Sequence, residues 1–85
     1  MISVKFRCYG ELNEYLPENL RQKTFHLDTE PVLIIDLIHS LNIPYSEIEL
    51  VLANGQSVDF FYTVQANDRI SVYPQFNAIE LASIH

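Results

Sequence analysis

Between Ile2 and Tyr9 the side chains alternate without a break: Ile2, Val4, Phe6 and Cys8 fall on one side, Ser3, Lys5, Arg7 and Tyr9 on the other. An extended chain sends successive side chains to opposite faces, so this segment reads as a strand with one buried and one open face. The buried face needs a covering layer. A helix over Pro31 to Leu41 supplies one, because Ile34, Leu37, Ile38 and Leu41 recur at the i, i+3, i+4, i+7 spacing of a single helical stripe. Pro31 suits the first turn, and Asp28 and Glu30 complement the positive end of the helix dipole. Asn42 tolerates the left-handed conformation that ends helices, and Pro44 prevents continuation. Val32, Leu33 and Ile35 extend the apolar surface beyond one stripe, so the helix is covered on a second side or offers a contact surface.

The other elements follow from shorter signals. Gly10 ends the first strand. Glu11 to Pro17 forms a helical turn or ordered loop with Leu12, Tyr15 and Leu16 turned inward. A second strand spans Lys23 to Leu27, with Phe25 and Leu27 inward. After a loop at Tyr45 to Glu49, the run Leu50 to Ala53 is the third strand. Asn54-Gly55 is a hairpin signal, since both positions accept positive φ in a tight turn. A short return strand starts at Val58, and among Phe60, Phe61 and Tyr62 some close one end of the core. Asn67-Asp68 turns into the last strand, Arg69 to Tyr73, which Pro74 stops. The order strand, strand, helix, strand, strand, strand predicts an α+β roll: a mixed four- to five-stranded sheet with one helix packed across one face. Its core joins Ile34, Leu37, Ile38 and Leu41 to Val4, Phe6, Ile70 and Val72.

Eighty-five residues suit a single domain spanning 1–85, and at 48% apolar residues they supply a core without staples. The one cysteine excludes an intramolecular disulfide, and no secretory n-region or h-region is present. No apolar run approaches the ~20 residues of a membrane span. The cytoplasm is the expected compartment. Eleven acids against five bases give a net charge of −6, which disfavours strong autonomous nucleic-acid binding.

Chemistry-bearing residues are sparse. Cys8 shares parity with Val4 and Phe6, which makes it an inert core thiol. His26, His39 and His85 are scattered, and no His, Cys or acid pair has metal-site spacing. Asp36 and His39 sit three apart on the helix, as solvated surface pairs do, and neither Ser57 nor Ser71 has a base placed for it. No catalytic residue, cofactor or metal is expected, and the chain is not read as an enzyme. The outward residues are more informative. Lys5, Arg7 and Tyr9 lie beside Arg69, Ser71 and Tyr73 if the first and last strands are neighbours, with Thr24 and His26 flanking them. That gathers three of five positive charges on the open face of an acidic chain. Two readings remain: a solvated face whose cations pair with nearby acids, or a partner-binding face anchored by Tyr and Arg. Phe76 extends the second reading. The segment 76–84 is too apolar for a free tail, and it either packs back as an edge strand or short helix or inserts into a partner.

Three stretches carry a family resemblance. Phe6-Arg7-Cys8-Tyr9-Gly10-Glu11-Leu12-Asn13-Glu14-Tyr15-Leu16-Pro17 is similar to an opening motif. Leu41-Asn42-Ile43-Pro44 with Asn54-Gly55-Gln56-Ser57-Val58-Asp59-Phe60 is similar to a middle one. Asn67-Asp68-Arg69-Ile70-Ser71-Val72-Tyr73-Pro74-Gln75-Phe76 is similar to a closing one. Together they resemble, over residues 2 to about 80, the ubiquitin-like domain found before Mut-seven C-terminal ribonuclease domains, a branch near the sulfur carriers for molybdopterin and thiamine. Asn42 and Asn67 stand where that family more often has glycine. The resemblance implies a ubiquitin-like β-grasp fold with parallel first and last strands. It also implies a non-catalytic accessory module for a protein partner, a ribonuclease domain in the same or another chain. No ribonuclease domain follows within these 85 residues. Sulfur carriers work through a Gly-Gly tail, whereas the two glycines here are Gly10 and Gly55. A degenerate carrier docking on an adenylating or synthase partner is the alternative, and a small structural or antitoxin-like protein is a third class.

Overall fold

β1 (Ile2–Cys8) and β5 (Arg69–Pro74) run parallel, paired at Lys5 with Arg69, Phe6 with Ile70, Arg7 with Ser71 and Cys8 with Val72. Around them a computed structural model, which describes residues 1–75, places β2 (Phe25–Thr29), α1 (Ile34–Ser40), β3 (Ile48–Ala53) and β4 (Gln56–Val58). The sheet order is β2-β1-β5-β3-β4, with every pairing antiparallel except β1 with β5. This is the α+β roll expected from the element order, with the parallel first and last strands that the family resemblance implied. Val4, Phe6, Cys8, Ile70 and Val72 from the central strands share one buried cluster with Ile34, Leu37 and Ile38 of α1. Period-two and period-3.6 faces meet there, as each requires the other to leave water.

Several boundaries differ from the sequence expectation. The α-helix begins at Ile34 and not near Pro31, because Leu33 is extended (φ −69°, ψ 149°) and bridges to Thr63. Backbone bonds to the 60–64 segment compete with a first helical turn. Ile34 N donates to Tyr62 O (2.8 Å), Ile35 N to Phe60 O (3.0 Å), and Val64 N to Val32 O (2.9 Å). The 60–64 segment thus runs alongside residues 32–35, and Val32 packs against the core. Leu41 falls just past the helix end and is half-buried.

The segment after Gly10 is a 3-10 helix, Gly10–Tyr15. Leu12 and Leu16 are buried as expected, but Tyr15 is not: it is exposed, and its hydroxyl donates to the Glu47 carboxylate. The inward residue is Asn13. Its Nδ2 donates to Cys8 O (3.0 Å) and Gly10 O (2.9 Å), while its Oδ1 accepts from Gln22 N (2.7 Å). β2 starts at Phe25, two residues later than expected; β3 starts at Ile48, which is buried, and β4 starts at Gln56, ahead of Val58. Asn54 and Gly55 both take positive φ (55° and 84°), and so do Asn42 (61°) and Asn67 (68°). Asparagine thus serves the left-handed positions where glycine is more usual. Phe60 and Tyr62 pack against the core, whereas Phe61 is 70% exposed. The expectations for Phe76 and the segment 76–84 lie outside the described residues.

Cys8 is 1% exposed, and burial pushes its thiol up to about 11. A thiol-specific reagent at neutral pH will therefore label it slowly in the folded chain and rapidly in denaturant. Equal rates in the two states would remove Cys8 from the core.

Candidate functional site

The open face of the sheet is fixed by register. Residues directly opposite in neighbouring strands share a face, so rows form across the sheet, the outermost being Ser3 with Asp28, whose carboxylate stands on this face beyond Lys5 and His26. His26, Lys5 and Arg69 make one row, and Arg7, Ser71, Leu52 and Ser57 a second. Tyr73 and Leu50 belong to the third, where Tyr9 joins them by stacking on Tyr73 with ring centroids 4.4 Å apart and planes 7° apart. Lys5, Arg7, Tyr9, Arg69 and Tyr73 are therefore brought together as their parity required. Phe76 is outside the described residues.

Gly10 explains how Tyr9 reaches Tyr73. Tyr9 N still donates to Val72 O (3.0 Å), continuing the parallel ladder one residue past β1. The next residue turns away with φ +57°, and a Cβ there would stand 3.0 Å from Pro74 Cγ. A side chain there would be strained in its backbone angle and crowded against Pro74, and glycine avoids both. The chain leaves the sheet at once, and the two tyrosines are left face to face.

Arg7 lies over the Tyr9 ring, its guanidinium carbon 4.9 Å from the centroid. Its Nε is buried and has no hydrogen-bond acceptor. Burial, then the neighbouring Tyr9, pushes the Tyr73 hydroxyl above its ordinary value, while Arg7 opposes that rise. Two shallow depressions open on this face. One is bounded by Lys5, Arg7, Thr24, His26, Arg69 and Ser71, and the other continues past Tyr9 and Tyr73 to Leu52 and Asn54. Among the described residues no carboxylate side chain lines either depression. The pairing of these cations with neighbouring acids, one of the two sequence readings, finds no support in that lining.

Below the Arg69 end the face is braced by a buried carboxylate that sequence reasoning treated as a turn residue. Asp68 Oδ1 accepts from Asn54 Nδ2 (2.8 Å), and Oδ2 accepts from Tyr62 Oη (2.7 Å) and Gln65 N (2.8 Å). Burial works to raise its carboxyl, but the hydrogen bonds outweigh it and hold the group below the ordinary carboxylate range. Asn54 Oδ1 in turn accepts from Arg69 N (3.0 Å), and Asn54 N donates to Arg69 O (2.8 Å). The hairpin turn, the loop before β5 and the start of β5 are one hydrogen-bonded unit. Leu50 and Leu52 were also missed as members of the open face. Their run of apolar neighbours hides parity, which only the antiparallel register with β5 reveals.

A family model described as Mut7-C ubiquitin matches residues 1–80. The chain belongs to the Mut7-C ubiquitin family. A crystal structure of small archaeal modifier protein 1 from Haloferax volcanii superposes on this family member with a TM-score of 0.67 at 17% identity, covering 89% of this chain and 100% of that one. A second, of SAMP1 from the same organism, gives 0.63 at 19% identity over 88% of this chain and 97% of that one. A putative molybdopterin converting factor subunit 1 from Pyrococcus furiosus gives 0.65 at 13% identity over 89% of this chain and 100% of that one. At such identities the likeness shows the ubiquitin-like β-grasp fold. No curated protein matches the sequence. Among the described residues of the Mut7-C ubiquitin chain, no helix is long and apolar enough to cross a membrane.

Proposed function

We propose that this Mut7-C ubiquitin chain is a non-catalytic docking module that binds a protein partner through the open face of its sheet. The partner is a ribonuclease of the Mut-seven C-terminal type, in the same or another chain. One observation carries the reading. Three of the five cations of an acidic chain, with two stacked tyrosines, stand on a face whose depressions no carboxylate of the described residues lines. Arg and Tyr are the side chains that most often anchor interfaces, and Leu50 and Leu52 add apolar area beside them.

The test is the double change Arg7→Ala and Arg69→Ala, measured by calorimetric titration against a purified ribonuclease domain of that type. An interface arginine contributes 2 kcal/mol or more, so binding weakens by about 30-fold or greater. Charged side chains on such a face each contribute about 0–1 kcal/mol to stability, so the pair of changes costs at most about 2 kcal/mol, and the domain stays folded, which a melting curve checks. Binding that is unchanged in the double variant would move the interface to another surface, with the exposed rings of Tyr45 and Phe61 next to be tested. Failure of the wild-type chain to bind would remove the ribonuclease as the partner.

A further inference from the structure

The depression between β1, β2 and β5 carries more chemical information than a general docking surface. Lys5, Arg7 and Arg69 supply its charge, and Thr24, His26 and Ser71 complete its polar rim. Two positions along a strand are separated by about 6.6 Å, and neighbouring strands by about 4.8 Å. Lys5 and Arg7 are two apart on β1, and Arg69 is the cross-strand neighbour of Lys5. The three cationic side chains therefore rise from a triangle of backbone positions about 5–8 Å on a side.

Charges gathered this closely repel one another unless an anion joins them. Arg7 adds a second, independent sign. Its Nε is buried without an acceptor, while its guanidinium is held over Tyr9. An unmet buried donor costs about 1–3 kcal/mol, and a guanidinium presents paired donors suited to a carboxylate.

We propose that this depression is a recognition site for an acidic peptide segment, with Arg7 and Arg69 each taking a carboxylate and Lys5 lying between them. An extended segment bearing acids at alternate positions presents carboxylates at about the same spacing as Lys5 and Arg7. Nucleic acid fits less well, because the Tyr9 and Tyr73 rings are stacked on each other and one face of each is closed to a base. The site rests on the partner-binding reading above and specifies what the partner presents.

The 85-residue chain, isotopically labelled for amide and arginine side-chain NMR, is titrated at about 20 mM salt with hexaglutamate, hexaglutamine and a uridine hexanucleotide, since exposed charges interact over long range only at low ionic strength. Saturable shifts with hexaglutamate alone are expected, centred on Lys5, Arg7, Arg69 and Ser71 and including the Arg7 Nε–H resonance. Binding should weaken by about tenfold in the Arg7→Gln, Arg69→Gln double variant, and again when salt is raised to about 200 mM. Both substitutions keep a polar side chain, and the amide spectrum of the variant verifies its fold directly. No shift on these strands with hexaglutamate would overturn the site. So would equal binding of hexaglutamine, or tighter binding of the oligonucleotide. The two readings fail separately. A ribonuclease complex that needs Arg7 and Arg69 while hexaglutamate does not bind would keep the docking face and remove the acidic segment. Hexaglutamate binding without any ribonuclease complex would do the reverse.

Discussion

Replacing Leu37 with Ala lowers the free energy of unfolding by about 2–5 kcal/mol, a large share of the about 5–15 kcal/mol that holds a small domain together. Leu37 is 4% exposed and belongs to the cluster that joins α1 to the central strands. The helix has seven residues, too short to persist without its packing. Removing the isobutyl group therefore loosens the helix as well as leaving a cavity. Urea unfolding followed by circular dichroism measures the change directly. A loss under about 0.5 kcal/mol would mean that the apolar stripe of α1 does not face the sheet. The control is Asp36→Ala on the exposed side of the same helix, which changes stability by about 0.5 kcal/mol or less.

Replacing Asp68 with Ala costs about 2–4 kcal/mol at neutral pH, because three donors converge on its carboxylate and hydrogen bonds to a buried charge are worth more than neutral ones. The Tyr62 hydroxyl, the Gln65 N–H and the Asn54 amide all lose their acceptor at once. The pH dependence has a definite sign. The folded carboxyl sits below its ordinary value, so its contribution is complete above the unfolded carboxylate pKa, near about 3.9, and disappears as pH falls through the lower folded value. The difference in stability between wild type and Asp68→Ala is therefore largest at neutral pH and shrinks in acid. Denaturant titrations of both proteins at neutral and strongly acidic pH measure it, with other titrating acids cancelling in the difference. A gap that grew on acidification would show that burial, and not the three donors, controls this group.

These two positions also show where the sequence is readable. Leu37 declares itself through a local period, and so do β1 and the Asn54-Gly55 turn. The open-face residues Lys5, Arg7, Arg69 and Tyr73 were legible for the same reason, since parity within a strand needs no knowledge of the rest of the chain. Asp68 and Asn13 were not legible. A polar residue becomes buried only when distant groups satisfy it, and the partners of Asp68 include Asn54, fourteen positions away. The start of α1 failed similarly: residues 32–35 read as helix locally, but the 60–64 segment claims their backbone donors and acceptors. Tyr15 was assigned inward on the spacing of an α-helix, and the 3-10 geometry of Gly10–Tyr15, with an outside acceptor at Glu47, turned it to the surface.

The central place of β5 has a consequence for how the molecule is born. β5 is the only described strand that touches both halves of the sheet, pairing with β1 on one side and β3 on the other. Until Arg69–Pro74 has left the ribosome, the growing chain holds a β1–β2 pair and a β3–β4 hairpin with no ladder between them. Two-stranded pieces of that kind are marginal in water, and the non-local pairing that rescues them pays its loop-closure entropy late. Synthesis therefore runs past residue 74 before a native core exists, and until then the apolar faces of β1 and α1 lack the cover they find in the folded domain.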